Sequence, residues 1–142
     1  MAALSALLAA CVLQAAHVQQ LPPELLVAII QVEGGAPGVT ASNRNRTEDL
    51  GVMQVNTGAW LDLVARAHFN GDRRQAYRRL RDDACYNVQV GAWILRRAID
   101  AAPTDAWRGV GRYHSATPAL NLRYRQRVQN AWRRLFLQPA PM

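Results

Sequence analysis

One carboxylate in this sequence sits where its chemistry ought to be unusual. Glu33 closes the apolar run Leu25-Leu26-Val27-Ala28-Ile29-Ile30-Gln31-Val32 and is followed at once by Gly34-Gly35. If the run is helical, Glu33 lies at its C-terminal end. The partial negative charge there disfavours a carboxylate and raises the pKa of the acid. Ile29, Ile30 and Val32 raise it further by keeping water away. A carboxyl that stays protonated near neutral pH is what a general acid needs. A second cluster is Asp49-Leu50-Gly51-Val52-Met53-Gln54-Val55-Asn56-Thr57. Gly51 allows close backbone approach. Gln54 and Asn56, two apart, share one side of an extended segment. Two amides on one wall of a cleft suit a sugar, whose N-acetyl and hydroxyl groups need both donors and acceptors. The third cluster is Gly109-Val110-Gly111-Arg112-Tyr113-His114-Ser115-Ala116-Thr117-Pro118, followed by Asn121 and Tyr124. An aromatic at a helix end among small and polar residues can face a sugar ring.

Each cluster also has an ordinary reading when taken alone. Glu33 could be a solvated residue at a fraying helix end. Gln54 and Asn56 could satisfy their own loop backbone. Tyr113 could be a core tyrosine with its hydroxyl bonded to backbone.

The elements that position these residues are almost all helical. The chain has 142 residues and is half apolar, enough for one domain with one core, and it shows no repeat, linker or low-complexity tract. Helical periodicity predicts a first helix from about Ala3 to Gln19, with Leu4, Leu7, Leu8, Cys11, Ala15 and Val18 inward. A second runs through Leu25, Leu26, Ala28, Ile29 and Val32 and ends at Gly34-Gly35. Residues 36–51 read as a long loop, with a short extended piece expected within 39–56. Thr57 is placed to cap a helix through Trp60, Leu61, Val64 and Ala67. Asn70-Gly71 signals a turn, and a basic helix follows over Arg73 to Arg81. Val88, Ala92, Leu95 and Ile99 mark another stripe. Asp105 to His114 forms a short helix. The last covers Pro118 to Leu137 with Tyr124, Val128, Ala131 and Leu135 inward. The fold class is mainly α, a single domain over residues 1–142.

Composition narrows the function classes. The net charge is +7, with every basic residue an arginine: three against five carboxylates in residues 1–70, fourteen against five in 71–142. The basic second half implies an anionic neighbour, and charge alone does not choose which. The arginines are spread over several helices with no interleaved aromatic platform, which argues against nucleic acid. Cys11 and Cys85 form no Cys-x-x-Cys pair, and His17, His68 and His114 are scattered, so no metal site and no cofactor is expected. The two cysteines are either buried thiols or a disulfide. The start of the chain has two readings. Residues 1–13 are too short to span a bilayer and lack the basic residue that opens a secretory signal, while Leu8-Ala9-Ala10-Cys11 is similar to a lipoprotein processing site. An ordinary first helix is the preferred alternative, with residues 1–10 as its extension or the remnant of an export signal.

Order and spacing join the clusters. A helix-ending Glu, then Gly-x-Met-Gln-x-Asn about twenty residues on, then the Asn-x-x-x-Gly-Ala of Asn87 to Ala92, then a Tyr, resembles the lytic transglycosylase family. That family shares the fold of goose-type lysozyme. The resemblance is nearest to the small members attached to secretion, conjugation and pilus machinery, and it covers roughly Cys11 to Leu135.

The resemblance implies a lysozyme-like helical domain that cleaves peptidoglycan between N-acetylmuramic acid and N-acetylglucosamine and leaves a 1,6-anhydro end. Glu33 would be the catalytic acid and then base. Gln54, Met53, Asn56, Tyr113 and Tyr124 would line the substrate cleft. It implies a bridge between Cys11 and Cys85, a periplasmic or envelope location, a monomer, and an envelope-spanning machine as partner. There are departures. Gly34 stands where the family has Ser, Arg112-Tyr113-His114 where it reads Ala-Tyr-Asn, and Arg46 where a small turn residue is usual. His114 could keep a polar role with altered pH behaviour. Asp49 is either a loop residue bonding nearby amides or the second carboxylate of a lysozyme-type hydrolase. A non-catalytic peptidoglycan-binding module is the remaining alternative.

Overall fold

The computed structural model describes residues 4–137. In chain order the elements are α1 (Ala6–Gln19), α2 (Pro23–Glu33), β1 (Thr40–Ser42), β2 (Glu48–Leu50), β3 (Val55–Asn56), α3 (Thr57–His68), α4 (Arg73–Asp82), α5 (Ala84–Asp100), α6 (Ala106–His114) and α7 (Pro118–Trp132). A π-helical turn, Arg133–Leu137, extends α7. The fold is mainly α with a small sheet, as expected. The chain divides into two compact units, Met1–Cys11 with Glu33–Gly91 and Val12–Val32 with Ala92–Met142.

The first unit holds the sheet, ordered β1-β2-β3 and antiparallel throughout. The expected extended piece is therefore three short strands, and residues 36–51 are not one continuous loop. Thr40 pairs with Leu50 and Ser42 with Glu48, and Asp49 pairs with Asn56 on the other edge of β2. In the β1–β2 turn the Thr47 N–H donates to Asn45 Oδ1 at 3.1 Å, and Arg46 has φ +67. A left-handed backbone costs a residue with a Cβ about 1 kcal/mol. Leu50, Val52, Met53, Val55, Leu61, Val64, Leu80 and Val88 are buried.

Helix ends in this unit follow local chemistry. Asp72 accepts from the Gln75 N–H and caps α4, and the chain turns into it through Asn70 (φ 52) and Gly71 (φ 83). The cap of α3 differs from expectation. Asn56 is the N-cap, its Oδ1 accepting from the Ala59 N–H at 3.0 Å, while the Thr57 hydroxyl accepts from the Glu48 N–H at 3.0 Å. Either side chain could have capped; the helix begins at Thr57 itself, and the Thr57 hydroxyl is taken by the Glu48 N–H of β2. Cys11 and Cys85 are bridged, with Cα atoms 5.2 Å apart.

The second unit is helical. Leu26, Ala28 and Ile29 of α2 are fully buried, as are Ala92 and Leu95 of α5 and Val128 of α7. Asp105 caps α6 by accepting from the Arg108 N–H, and Pro118 opens α7. Leu135 is half-buried rather than inward.

Helix α1 is present, though its expected start at Ala3 lies outside the described residues. Its inward face is the expected one only in part: Ala15 is buried, and Leu4, Leu8 and Cys11 are half-buried. Leu7 and Val18 are 72% and 61% exposed, and the buried residues are Val12, Ala15 and Ala16. The helix is apolar nearly all round, so no stripe stands out, and packing rather than periodicity selects the face.

Candidate active site

Glu33 is the last residue of α2 and is half-buried. Gly34 stops the helix with φ +69, a left-handed conformation that glycine adopts without a Cβ penalty. The next residue makes the closest approach in the region. A Cβ on Gly35 would overlap the Gly51 carbonyl oxygen and press on the Val52 carbonyl and Gln54 Nε2. The chain therefore leaves Glu33 and lies directly on the 51–54 turn.

That turn is fastened from several sides. Gly51 (φ +70) donates its N–H to the Val39 carbonyl at 2.9 Å. Gln54 has φ 53, and both its backbone N–H and its Nε2 donate to the Gly51 carbonyl, at 3.1 and 2.9 Å. Beneath lies Asn87 of α5, fully buried. Its Nδ2 donates to the Leu50 and Leu80 carbonyls, both at 2.8 Å, and its Oδ1 accepts from the Met53 N–H at 2.7 Å. One amide thus satisfies three buried backbone groups. The family resemblance drew attention to Asn87; its work as the bolt of this turn was not read from sequence. The available signal was a polar residue beside a stripe of otherwise apolar helix positions.

Three expectations change here. Gln54 and Asn56 do not share a face of one extended segment, because Gln54 is in a left-handed turn and the strand begins only at Val55. Asn56 is occupied by the fold. Besides capping α3, its Nδ2 donates to Thr47 Oγ1 at 3.0 Å and to Asp49 Oδ1 at 2.9 Å. Met53 is fully buried, and a Cβ on Gly91 of α5 would collide with its side chain. It packs beneath the turn. Gln54 is half-buried, as is Asn56, with its Nε2 turned back onto the Gly51 carbonyl.

Asp49 and its neighbour Glu48 point to different partners. Asp49 meets Asn56, while Glu48 accepts from the Tyr77 hydroxyl at 2.9 Å. Burial raises the pKa of Tyr77, and the hydrogen bond and charge of Glu48 add to it. Neither Glu48 nor Tyr77 stood out in the sequence.

The aromatic cluster belongs to the second unit. Asn121 is buried at the corner between α6 and α7, its Nδ2 donating to the Arg108 and Ser115 carbonyls at 3.0 and 3.3 Å. A Cβ on Gly111 would overlap the Asn121 amide, so the helices meet at backbone distance. This corner stacks His114 on Tyr124, centroids 4.9 Å apart and planes 13° off parallel, with Tyr113 6.3 Å from Tyr124 at 23°. Tyr124 is buried, Tyr113 half-buried and His114 exposed. Among the described residues no group of three His, Cys, Asp or Glu is placed to hold a metal ion. No described helix is long and apolar enough to cross a membrane.

A mainly α chain with a small sheet, in which the backbone leaving a helix-ending glutamate packs on a hydrogen-bonded turn, is consistent with the lysozyme-like fold class. The chain belongs to the transglycosylase SLT domain family, whose model matches residues 10–134. It is 30% identical over 132 residues to the invasion protein IagB of Salmonella typhimurium (strains SL1344 and LT2) and of Salmonella typhi, covering 88% of this chain and 76% of each relative. The family is one of lytic transglycosylases acting on peptidoglycan in the cell envelope. The Cys11–Cys85 bridge fits an extracytoplasmic location.

Proposed function

We propose that the chain cleaves the β-1,4 bond between N-acetylmuramic acid and N-acetylglucosamine, with Glu33 as its one catalytic carboxyl. Glu33 donates its proton to the glycosidic oxygen as the C1–O bond breaks. It then accepts the proton of the muramic acid 6-hydroxyl as that oxygen closes on C1. The products are a 1,6-anhydro end and a free 4-hydroxyl, and no water is consumed. Gln54 would contact the sugar from the turn, and Tyr113, His114 and Tyr124 are proposed as further substrate contacts.

The observation that carries this reading is the family match over residues 10–134, within which Glu33 ends its helix two residues before Gly35 meets the 51–54 turn. The same match supports treating residues 1–142 as one functional domain. The bond from Asn56 to Asp49 favours a structural role for Asp49 over that of a second catalytic carboxylate. The location we infer is the periplasm. The Salmonella relatives are named invasion proteins, which accords with service to a secretion, conjugation or pilus machine.

The test is mass spectrometry of soluble products from purified sacculi. Wild type should release anhydro-muropeptides, and Glu33→Gln should fold normally and release none. Full activity in that variant would overturn the assignment. Products one water heavier would show hydrolysis instead.

A further inference from the structure

The charge of this chain is segregated. Residues 1–105 carry ten arginines and ten carboxylates, whereas residues 106–142 carry seven arginines and no carboxylate. The whole net charge of +7 therefore resides in the final segment. Five of its arginines lie on α7 and the π-helical turn: Arg123, Arg125, Arg127, Arg133 and Arg134.

Four arginines elsewhere are paired with carboxylates, and among the described residues Arg44, Arg46, Arg66, Arg74, Arg78, Arg97, Arg108 and Arg112 have none within ion-pair reach. Arg73 pairs with Asp62, Arg79 with Asp83, Arg81 with Asp82 and Arg96 with Asp100. On α7, among the described residues, only Arg125 approaches a carboxylate, Asp105 at 3.9 Å. Arg127 donates to the Val32 carbonyl at 3.3 Å and Arg133 to Asn130 Oδ1 at 3.5 Å. Among the described residues, Arg123 and Arg134 have no carboxylate within ion-pair reach. Arg123, Arg127 and Arg134 recur at intervals of four and seven residues, which keeps them on one stripe about 16 Å long. All three are exposed. Exposed apolar side chains interleave with them: Leu122 at 44% and Leu137 at 67%, with Leu120 and Phe136 nearby at 42% and 43%.

We propose that this face of α7 docks on an anionic phospholipid bilayer, the arginines on lipid phosphates and Leu122 and Leu137 at the acyl boundary. A nucleic acid or an acidic cell-wall polymer would use the arginines alone. A bilayer engages both classes of side chain, and a basic helix with exposed leucines is the pattern that lies along its surface. The helix is carried wholly by the second unit, and the proposal does not rest on the catalytic assignment above.

Co-sedimentation of the full chain with lipid vesicles tests it. Binding is expected to vesicles containing phosphatidylglycerol and not to pure phosphatidylcholine, and it should weaken as salt rises. Each phosphate-facing arginine is worth roughly fivefold in partitioning, so Arg123→Gln/Arg133→Gln/Arg134→Gln should weaken binding about a hundredfold. Arg127 is left intact because it bonds α2. Leu122→Ser/Leu137→Ser should also weaken binding while keeping its salt dependence. Circular dichroism melts check that both variants fold. Equal binding to neutral and anionic vesicles, no binding to either, or full binding by the folded triple variant would overturn the proposal. Arginine-dependent binding to DNA or sacculi that the leucine changes leave untouched, without vesicle binding, would also overturn it, in favour of a polyanion site.

Discussion

Replacing Asn87 with Ala should be among the most damaging single changes in the protein, although Asn87 carries no charge and does no chemistry. The side chain makes three hydrogen bonds of 2.7–2.8 Å to the Met53 N–H and the Leu50 and Leu80 carbonyls, and all four residues are buried. A buried backbone group deprived of its partner costs about 1–3 kcal/mol. The Met53 N–H has one hydrogen and loses its bond whole, about 2 kcal/mol, while each carbonyl retains a second lone pair and loses nearer 1. The sum is about 4 kcal/mol. With an unfolding entropy of about 2.1 cal/mol/K per residue, roughly 0.3 kcal/mol/K for this chain, the expected fall in Tm is about 13 °C. Calorimetry checks the magnitude, and glycan cleavage measured well below the new Tm checks the second consequence. The bonds hold the 51–54 turn on which the chain leaving Glu33 rests, so folded Asn87→Ala protein should also be slower than wild type. A Tm drop of less than about 4 °C, with activity intact, would show that the turn is held by something else.

Three further outcomes follow from the geometry. Gly34→Ala should cost only about 1 kcal/mol, because its φ is positive but its surroundings are open, whereas Gly35→Ala should cost at least about 2 kcal/mol and reduce activity by displacing the 51–54 turn; paired melts and product assays compare the two. Cys11→Ser/Cys85→Ser should lose about 4 kcal/mol, the loop-closure value for a separation of 74 residues, measured by denaturant titration under oxidising conditions. Burial raises the pKa of Tyr86 above the ordinary 10.0, with Asp83 adding and Arg79 opposing. The folded state then holds a proton that the unfolded state has released, so stability declines as pH climbs from about 10 through the folded value. In Tyr86→Phe the slope of Tm against pH above 10 should be shallower than in wild type.

Much of this protein is determined by local sequence. Helix ends are written in single residues, such as the Asp72 and Asp105 caps, the turn at Asn70-Gly71, Pro118 at a helix start and Gly34 at a helix stop, because capping is a contact between near neighbours. The position of Glu33 at the end of α2 follows from the same logic. Where two residues could each serve, as at Asn56 and Thr57, the sheet decided, since β2 takes the Thr57 hydroxyl. The inward face of α1 was undetermined for a related reason: a helix apolar on all sides is oriented by its neighbours. The sharpest division runs through the Gly-x-Met-Gln-x-Asn motif. Its residue types and order were in the sequence, but which of them face outward was not. Gln54 enters a left-handed turn and Met53 is buried over Gly91 where Asn87, 34 residues beyond Met53, binds the backbone beneath, while Asn56 is consumed by its own hairpin. A hydrogen bond over that separation leaves no periodic trace in a linear chain, and only the tertiary structure could assign those side chains to core, turn and surface.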